Sequence, residues 1–217
     1  VTAADVESER LIRSVIGGAF KDDAVLGEEM GLRRGSGVRT WVIDPLDGST
    51  NYSIGNPFFA VSIALLESGE PVLGVVNYPC QGELFCAESG SGARLNGKGI
   101  RVSGVRALGR STLTFCHGRD SASVKGISEA FRRMKGVTSR TRQMGAASLE
   151  LCYVACGRAD AFLMIGVNAW DVAAGSLIVE EAGGWITDLA GGRFTARSTS
   201  LLASNGRIHD RLMKLLA

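Results

Sequence analysis

The sequence predicts an α+β fold in which sheets and helices stack in layers. Strand-like runs joined by tight turns follow one another through residues 58–103, the pattern of an antiparallel sheet. From residue 111 onward helical and strand periods mix, so helices must lie against further strands. The composition permits such a body. A chain of 217 residues, 45% hydrophobic and 21% charged, can bury a substantial core as one large domain or two small, closely packed ones.

Residues 2–20 carry Val6, Leu11, Ile12, Val15 and Ile16 among charges, a helical period. Val25-Leu26-Gly27-Glu28-Glu29 reads as a short strand ending in acids, and 39–43 as another. Residues 58–66 and 71–78 read as strands joined through Ser68-Gly69-Glu70, a hairpin signal. A strand at 83–87 follows, then a loop and short strand at 94–103 around the turn pair Asn96-Gly97. The second part reads as a strand (111–116), a helix (121–135), a strand, a helix (146–156), a strand (160–165) and an almost wholly apolar helix (170–182). An all-round apolar helix is buried on most sides. Strands near 185–188 and 200–204 and a helix from Arg207 close the chain. A soft boundary near residues 105–110, without a linker, divides it into 1–107 and 108–217.

The formal net charge is +2, from 24 basic and 22 acidic side chains. This balance gives no reason to expect nucleic acid or an anionic membrane as a partner. No stretch reads as a signal peptide or a transmembrane span. The five cysteines Cys80, Cys86, Cys116, Cys152 and Cys156 are odd in number and form no C-x-x-C. That is the usage of buried free thiols in a reducing cytosol, so a cytoplasmic protein is expected. The chain begins with Val1 rather than Met, so an amino-terminal piece is expected to precede it.

Acids gather where apolar strands and helices begin or end: Asp5, Glu28-Glu29, Asp44 and Asp47 in WVIDPLDGSTNY, and Asp171 after Trp170. Oxygen donors without His or Cys company suit magnesium or manganese better than zinc. Pro45 fixes a turn that can aim the Leu46 carbonyl at a cation. Gly48 permits close approach, and the amides of Gly48, Ser49 and Thr50 can open a helix whose amino terminus receives phosphate. Each acid also has an ordinary reading: Asp44 and Asp47 as turn formers or a cap, Asp171 as a cap, Glu28-Glu29 as a solvated edge. On the residues alone the two readings are balanced.

WVIDPLDGSTNY at 41–52 resembles the first signature of the inositol monophosphatase superfamily, D-P-x-D-G-[ST]-x-N. WDVAAGSLIVEEAGG at 170–184 resembles the second, W-D-x-A-[AG]-G followed by EAGG. VTAAD at 1–5, GEE at 27–29, GSGARLNG at 90–97 and GAASLELCYVACGRADAF at 145–162 are similar to further family segments in the right order. The last of these also resembles the archaeal branch, whose members often accept both inositol phosphate and fructose 1,6-bisphosphate. The resemblance spans essentially the whole chain.

It implies a layered α/β/α/β/α sandwich of the inositol monophosphatase / fructose-1,6-bisphosphatase type, with 1–107 the metal-binding half and 108–217 completing the active site. It implies a homodimer and a lithium-sensitive, magnesium-dependent hydrolysis of small phosphate monoesters. Two or three Mg2+ ions are expected, with Mn2+ able to substitute. By position, Glu28, Asp44 and the Leu46 carbonyl resemble ligands of a first cation. Asp44, Asp47 and Asp171 resemble ligands of a second. Glu29 resembles the acid serving a weaker third cation or its water. Asp5 and Ser49 resemble the pair that orients the attacking water, Ser keeping the hydroxyl that the family's Thr supplies. The amides of Gly48 and Ser49, with Thr50 beside them, would hold the phosphate, and the Ala147 amide would touch the substrate. Two cations would flank the ester, one lowering the pKa of a bound water, the other stabilising the leaving alkoxide.

The sequence departs from the family pattern at Met164, where inositol-selective members carry a Glu that accepts hydrogen bonds from substrate hydroxyls; Met does not replace that acceptor. The family's amino-terminal helix and metal-proximal loop are not in the sequence, which implies weakened third-cation binding if they are absent. Inositol 1-phosphate leads the expected substrates, with fructose 1,6-bisphosphate beside it. Histidinol phosphate, a nucleotide 3′-phosphate and NADP are alternatives with the same chemistry, and a non-catalytic scaffold is the alternative from another class. His117 and His209 suggest no triad and are expected at surface or core. Arg140, Arg142 and Arg158 are candidates to serve a second phosphate but read first as solvated surface charges. Trp41, Trp170 and Trp185 are expected in the core.

Overall fold

The computed structural model describes residues 1–195 and 198–217. The chain opens with α1 (Ala3–Ala19), β1 (Ala24–Gly27), β2 (Gly31–Arg33), β3 (Arg39–Asp47) and the short α2 (Ser49–Ser53). Next come β4 (Ala60–Glu67), β5 (Glu70–Tyr78), β6 (Glu83–Glu88), β7 (Ala93–Leu95) and β8 (Lys98–Gly99). The second part holds β9 (Leu113–His117), α3 (Ser121–Val137), β10 (Thr141–Arg142), α4 (Ala147–Ala155), β11 (Ala161–Ile165), α5 (Ala169–Glu181), β12 (Trp185–Thr187), β13 (Ser200–Ser204) and α6 (His209–Leu216). Among the described residues no helix is long and apolar enough to cross a membrane.

The strands form two sheets, ordered β2-β1-β3-β4-β5-β6-β7-β8 and β10-β9-β11-β13-β12. The first is antiparallel except where β1 runs parallel to β3. Its hairpin turns sit where expected: Ser68 and Gly69, and Asn96 and Gly97, all have positive φ, the tight turn that matches strand twist.

Period-two alternation in β3 sets the layers. Ile43 packs with Ile16 and Val25 beneath α1, whereas Val42 faces the main core with Ala174 and Ile178 of α5. Helices α4 and α5 fill the space between the sheets, and Val172 through Val179 are all buried. On the far face of the second sheet, Leu113, Leu163 and Leu202 meet Ile127 and Met134 of α3 and Leu212 of α6. The order is therefore α/β/α/β/α, the layered sandwich the resemblance implied. Gly74 lets α5 approach closely, since a Cβ there would stand 2.7 Å from the Ala174 carbonyl oxygen.

Several boundaries differ from the sequence reading. β1 stops at Gly27, and Glu28–Met30 form a turn into β2, a strand the sequence did not suggest. β3 does not end at Pro45; it runs to Asp47 with a register shift between Asp44 and Asp47. Proline cannot donate to a ladder, so the two residues between these acids bulge out of pairing. Trp185, expected in the core, is 55% exposed and stacks on His209 at 5.7 Å between ring centroids. Of the cysteines expected to be buried, Cys116 and Cys152 are, whereas Cys80 is exposed.

Candidate active site

The bulge at the end of β3 carries the central acids. Leu46 N–H donates to Asp44 Oδ1 at 3.1 Å, closing a small loop around Pro45. Gly48 then turns the chain at φ +90°. A side chain there would be strained and would meet the Phe58 carbonyl oxygen at 3.0 Å and Ala146 Cβ at 3.1 Å. The turn runs directly into α2, so the amides of Gly48, Ser49 and Thr50 open a helical turn beside the acids, as expected. Asn51 anchors it by donating to the Phe58 and Met144 carbonyls, both at 2.7 Å.

Asp47 reaches a hundred residues along the chain. It accepts from Ala147 N–H at 3.1 Å, Ser148 N–H at 2.7 Å and Ser148 Oγ at 2.5 Å. The residue preceding α4, Ala146, has no oxygen with which to cap it, and Asp47 supplies that cap from another part of the chain. Expected contact residue Ala147 thus has its amide committed to Asp47.

Two other acids are locked at helix starts by a shared device. Asp5, the third residue of α1, accepts from Thr2 N–H and Thr2 Oγ1, both at 2.6 Å. Asp171, the third residue of α5, accepts from Asn168 N–H at 3.0 Å and Nδ2 at 3.1 Å. Such reciprocal caps fix the direction of each carboxylate. Asp5 is fully buried. Ser49 Oγ lies 2.8 Å from Asp5 Oδ1 and 2.9 Å from the Leu46 carbonyl oxygen, so the pair expected to orient water is in hydrogen-bond contact.

Glu28 sits on a turn held from below. Buried Glu9 accepts from Glu29 N–H at 2.8 Å, Met30 N–H at 3.2 Å and Arg13 Nε at 2.6 Å. Gly27 is needed above it, because a Cβ there would overlap the Glu9 carboxylate.

Glu28, Asp44, Leu46, Asp47, Gly48, Ser49, Thr50, Ala147, Met164 and Asp171 line one cleft of about 430 Å3. Asp5 stands behind Ser49 rather than in the lining, and Glu29 lies outside it, with the charges of Asp5 and Arg119 acting on it. The acids perturb one another. Burial, with the charges of Asp171, Glu29 and Asp5, pushes Glu28 up to about 7, while a hydrogen bond with Asp44 opposes the rise. Burial and the charges of Asp47, Glu28 and Asp171 push Asp44 well above the carboxylate range. Burial raises Asp47 to about 7 against its Ser148 hydrogen bonds, and raises Asp171 against those from Asn168. Asp5 differs: burial pushes it up, but hydrogen bonds from Thr2 and Ser49 leave it below its ordinary value.

This donor set fits a hard divalent cation. It is all oxygen, it is mutually repelling, and Glu28 and Asp44 are close enough to share a hydrogen bond. Among the described residues no three His, Cys, Asp or Glu side chains form a ready-made cage. Magnesium does not require one, since it usually takes one or two carboxylates and completes its shell with water and substrate phosphate. Cys116 also lines the cleft, but burial and neighbouring Glu150 push its thiol well above its usual value. It donates to Glu150 Oε1 at 3.0 Å and so remains a thiol.

The sequence reading did not single out Thr2, Glu9, Ser148 or Asn168, the residues that aim the acids. Thr2 and Asn168, each three positions before an aspartate, carried a legible capping signal; Glu9 and Ser148 act through long-range contacts. Nor did it place His117, Arg119 and Gln143 in the cleft lining. His117 Nδ1 lies 2.8 Å from the Gly118 carbonyl; a carbonyl only accepts, so Nδ1 carries the proton. His209 is buried.

Comparison with known proteins agrees with this geometry. The inositol monophosphatase family profile matches residues 1–217. A Thermotoga maritima protein named fructose-1,6-bisphosphatase/inositol-1-monophosphatase is 41% identical over 216 residues, covering 100% of this chain and 82% of that protein. The Nus factor SuhB of Pasteurella multocida is 42% identical over 218 residues, 98% of this chain and 80% of that one. The crystal structure of the extragenic suppressor protein suhB from Bartonella henselae superposes with a TM-score of 0.95 at 38% identity, covering 100% of this chain and 84% of that one. The chain belongs to the inositol monophosphatase family and is, by that membership, a phosphoric monoester hydrolase.

Proposed function

We propose that this protein is a magnesium-dependent phosphatase acting on a small polyol or sugar phosphate monoester, inositol 1-phosphate foremost. The observation that carries the reading is the convergence of Glu28, Asp44, Asp47 and Asp171, from three separate segments, on one cleft that also presents the α2 amides. Glu28, Asp44, Asp47, Asp171 and the Leu46 carbonyl would hold the cations. Bound there, magnesium or manganese would polarise the phosphoryl group, lower the pKa of water and neutralise the leaving oxygen.

The chain's own residues do the rest. The amides of Gly48 and Ser49 grip the phosphate oxygens, aided by the positive end of α2. Asp5, held ionised by Thr2 and Ser49, accepts a hydrogen bond from the Ser49 hydroxyl. The Ser49 lone pairs are then free to accept from a water and hold it in line with the ester. Glu29, outside the cleft lining, would serve a weaker third cation. A homodimer accompanies this reading.

Fructose 1,6-bisphosphate is a second substrate reading, favoured by two cleft residues. Met164 offers inositol hydroxyls only a weak thioether acceptor in place of a carboxylate. Arg119 lines the cleft and takes part in no ion pair among the described residues, which leaves a guanidinium for a second phosphate. A phosphate-release panel with and without magnesium tests both readings, using inositol 1-phosphate, fructose 1,6-bisphosphate, histidinol phosphate, a 3′-phosphoadenosine nucleotide and NADP. Release from inositol 1-phosphate at background, with another compound well above it, overturns the leading substrate. No magnesium-dependent release from any of them overturns the function.

A further inference from the structure

A second concavity is larger than the carboxylate cleft and shares no residue with it. It measures about 1040 Å3 and lies where residues 91–104 pass over the carboxyl end of α5. Asp171 is at the opposite end of that helix. Arg94, Arg101 and Arg207 line this groove. None of the three takes part in an ion pair among the described residues, although seven other arginines do.

The groups that would ordinarily discourage an anion here are already engaged. Glu181, the acid in the lining, accepts from Gly90 and Gly92 N–H, both at 2.8 Å. The last carbonyls of α5 accept from Ala182, Gly183 and Gly184, and the Ala182 carbonyl accepts from Val102 N–H at 3.2 Å. The backbone bearing the arginines is held in place by one side chain. Asn205 Nδ2 donates to Ser103 Oγ and to the Val105 carbonyl, both at 2.9 Å, and Asn205 Oδ1 accepts from Arg207 N–H at 3.0 Å. The backbone positions from which Arg101 and Arg207 project are thus tied to one another through Asn205, while their exposed guanidinium groups keep the freedom to reach a ligand.

We propose that this groove binds a small oligophosphate, a ligand with two or more linked phosphoryl groups. Guanidinium forks match phosphate oxygens in pairs, and three arginines around a groove of this size offer more cationic contact than one phosphate takes up. The oligophosphate is either free or the tail of a nucleotide. Exposed Trp185 lies beside the groove, its Cβ 4.0 Å from where a Cβ on Gly206 would be, and offers an aromatic face to a base.

Isothermal titration of the whole chain with tripolyphosphate and with ATP, in EDTA and low salt, tests the proposal. Without divalent cations the carboxylate cleft repels both ligands. The expected result is one site per chain whose affinity falls at least about tenfold in Arg101→Ala/Arg207→Ala, since each lost guanidinium removes charge-assisted hydrogen bonds. Arg94→Ala, on the exposed hairpin, should weaken binding independently, and magnesium-dependent phosphate release should be unchanged in all variants. Tighter binding of ATP than of tripolyphosphate, lost in Trp185→Ala, identifies a nucleotide; equal binding identifies the free oligophosphate. No binding to the wild type, or equal affinity in the arginine variants, overturns the proposal.

Discussion

Ser49→Ala removes one hydroxyl and little else. Ser49 Oγ is placed by Asp5 at 2.8 Å and the Leu46 carbonyl at 2.9 Å. Once its proton is committed there, its lone pairs are the acceptors left to orient a water. Loss of a hydroxyl that positions the attacking water should cost as much as loss of an acid–base contact, about 10^2 to 10^4 in kcat, equivalent to about 2.7–5.4 kcal/mol of transition-state stabilisation. KM should change little, because the phosphate grip comes from backbone amides that the substitution leaves in place. Folding should lose about 1.5–3 kcal/mol, the scale of one hydrogen bond to a charged group. Asp5 keeps both donors from Thr2. Ser49→Thr restores the hydroxyl and should restore kcat. Steady-state phosphate release with magnesium, run beside thermal unfolding, reads all of this. A folded Ser49→Ala protein with wild-type kcat would refute this orienting role.

Glu9→Gln weakens the support of the Glu28 turn, because a neutral amide replaces a carboxylate that receives three donors. Magnesium titrations of phosphate release should show a higher half-saturating concentration, and unfolding a loss of about 1–3 kcal/mol. Gly74→Ala drives a methyl against the Ala174 carbonyl at 2.7 Å and should cost about 1–3 kcal/mol in urea unfolding, the usual range for overpacking. His209, within hydrogen-bond reach of Thr187 and Ser204 hydroxyls at 2.9 Å, is held by burial below the ordinary imidazole value of about 6.5, despite the raising charge of Asp210. The unfolded chain therefore takes up this proton first as pH falls. The stability this residue confers is full above about pH 6.5 and declines below it, by at most about 1.4 kcal/mol per pH unit. Subtracting the pH–stability curve of His209→Gln from that of the wild type isolates this slope; a flat difference below pH 6.5 contradicts the shift.

Local signals carried much of the fold. The Ser68-Gly69 and Asn96-Gly97 turns have the positive φ their residues favour, and the apolar run of α5 is buried as its composition requires. Sequence reading misplaced elements where tertiary pairing decides. β2 is three residues long and exists through its register with β1. β3 passes Pro45 because Asp47 still pairs with Ala60. α6 starts at His209 rather than Arg207 because the Asn205 side chain takes the Arg207 and Ile208 amides into a turn first. The acids of the site were legible as types at element ends. Their aiming was not, because Ser148 and Glu9 meet them across 101 and 20 positions of sequence. Trp185 shows the converse: an apolar residue type does not reveal that one face stays open.

The proposed phosphatase chemistry requires that the repelling carboxylates around β3 hold divalent cations. Diffraction from crystals soaked in manganese, collected at a wavelength where manganese scatters anomalously, tests it most directly. An anomalous peak is expected at coordination distance from the Asp44 carboxylate, bordered by Asp47 and Asp171 or by Glu28, and is expected to be lost in Asp44→Asn. Fully soaked wild-type crystals with no peak at these side chains would contradict it.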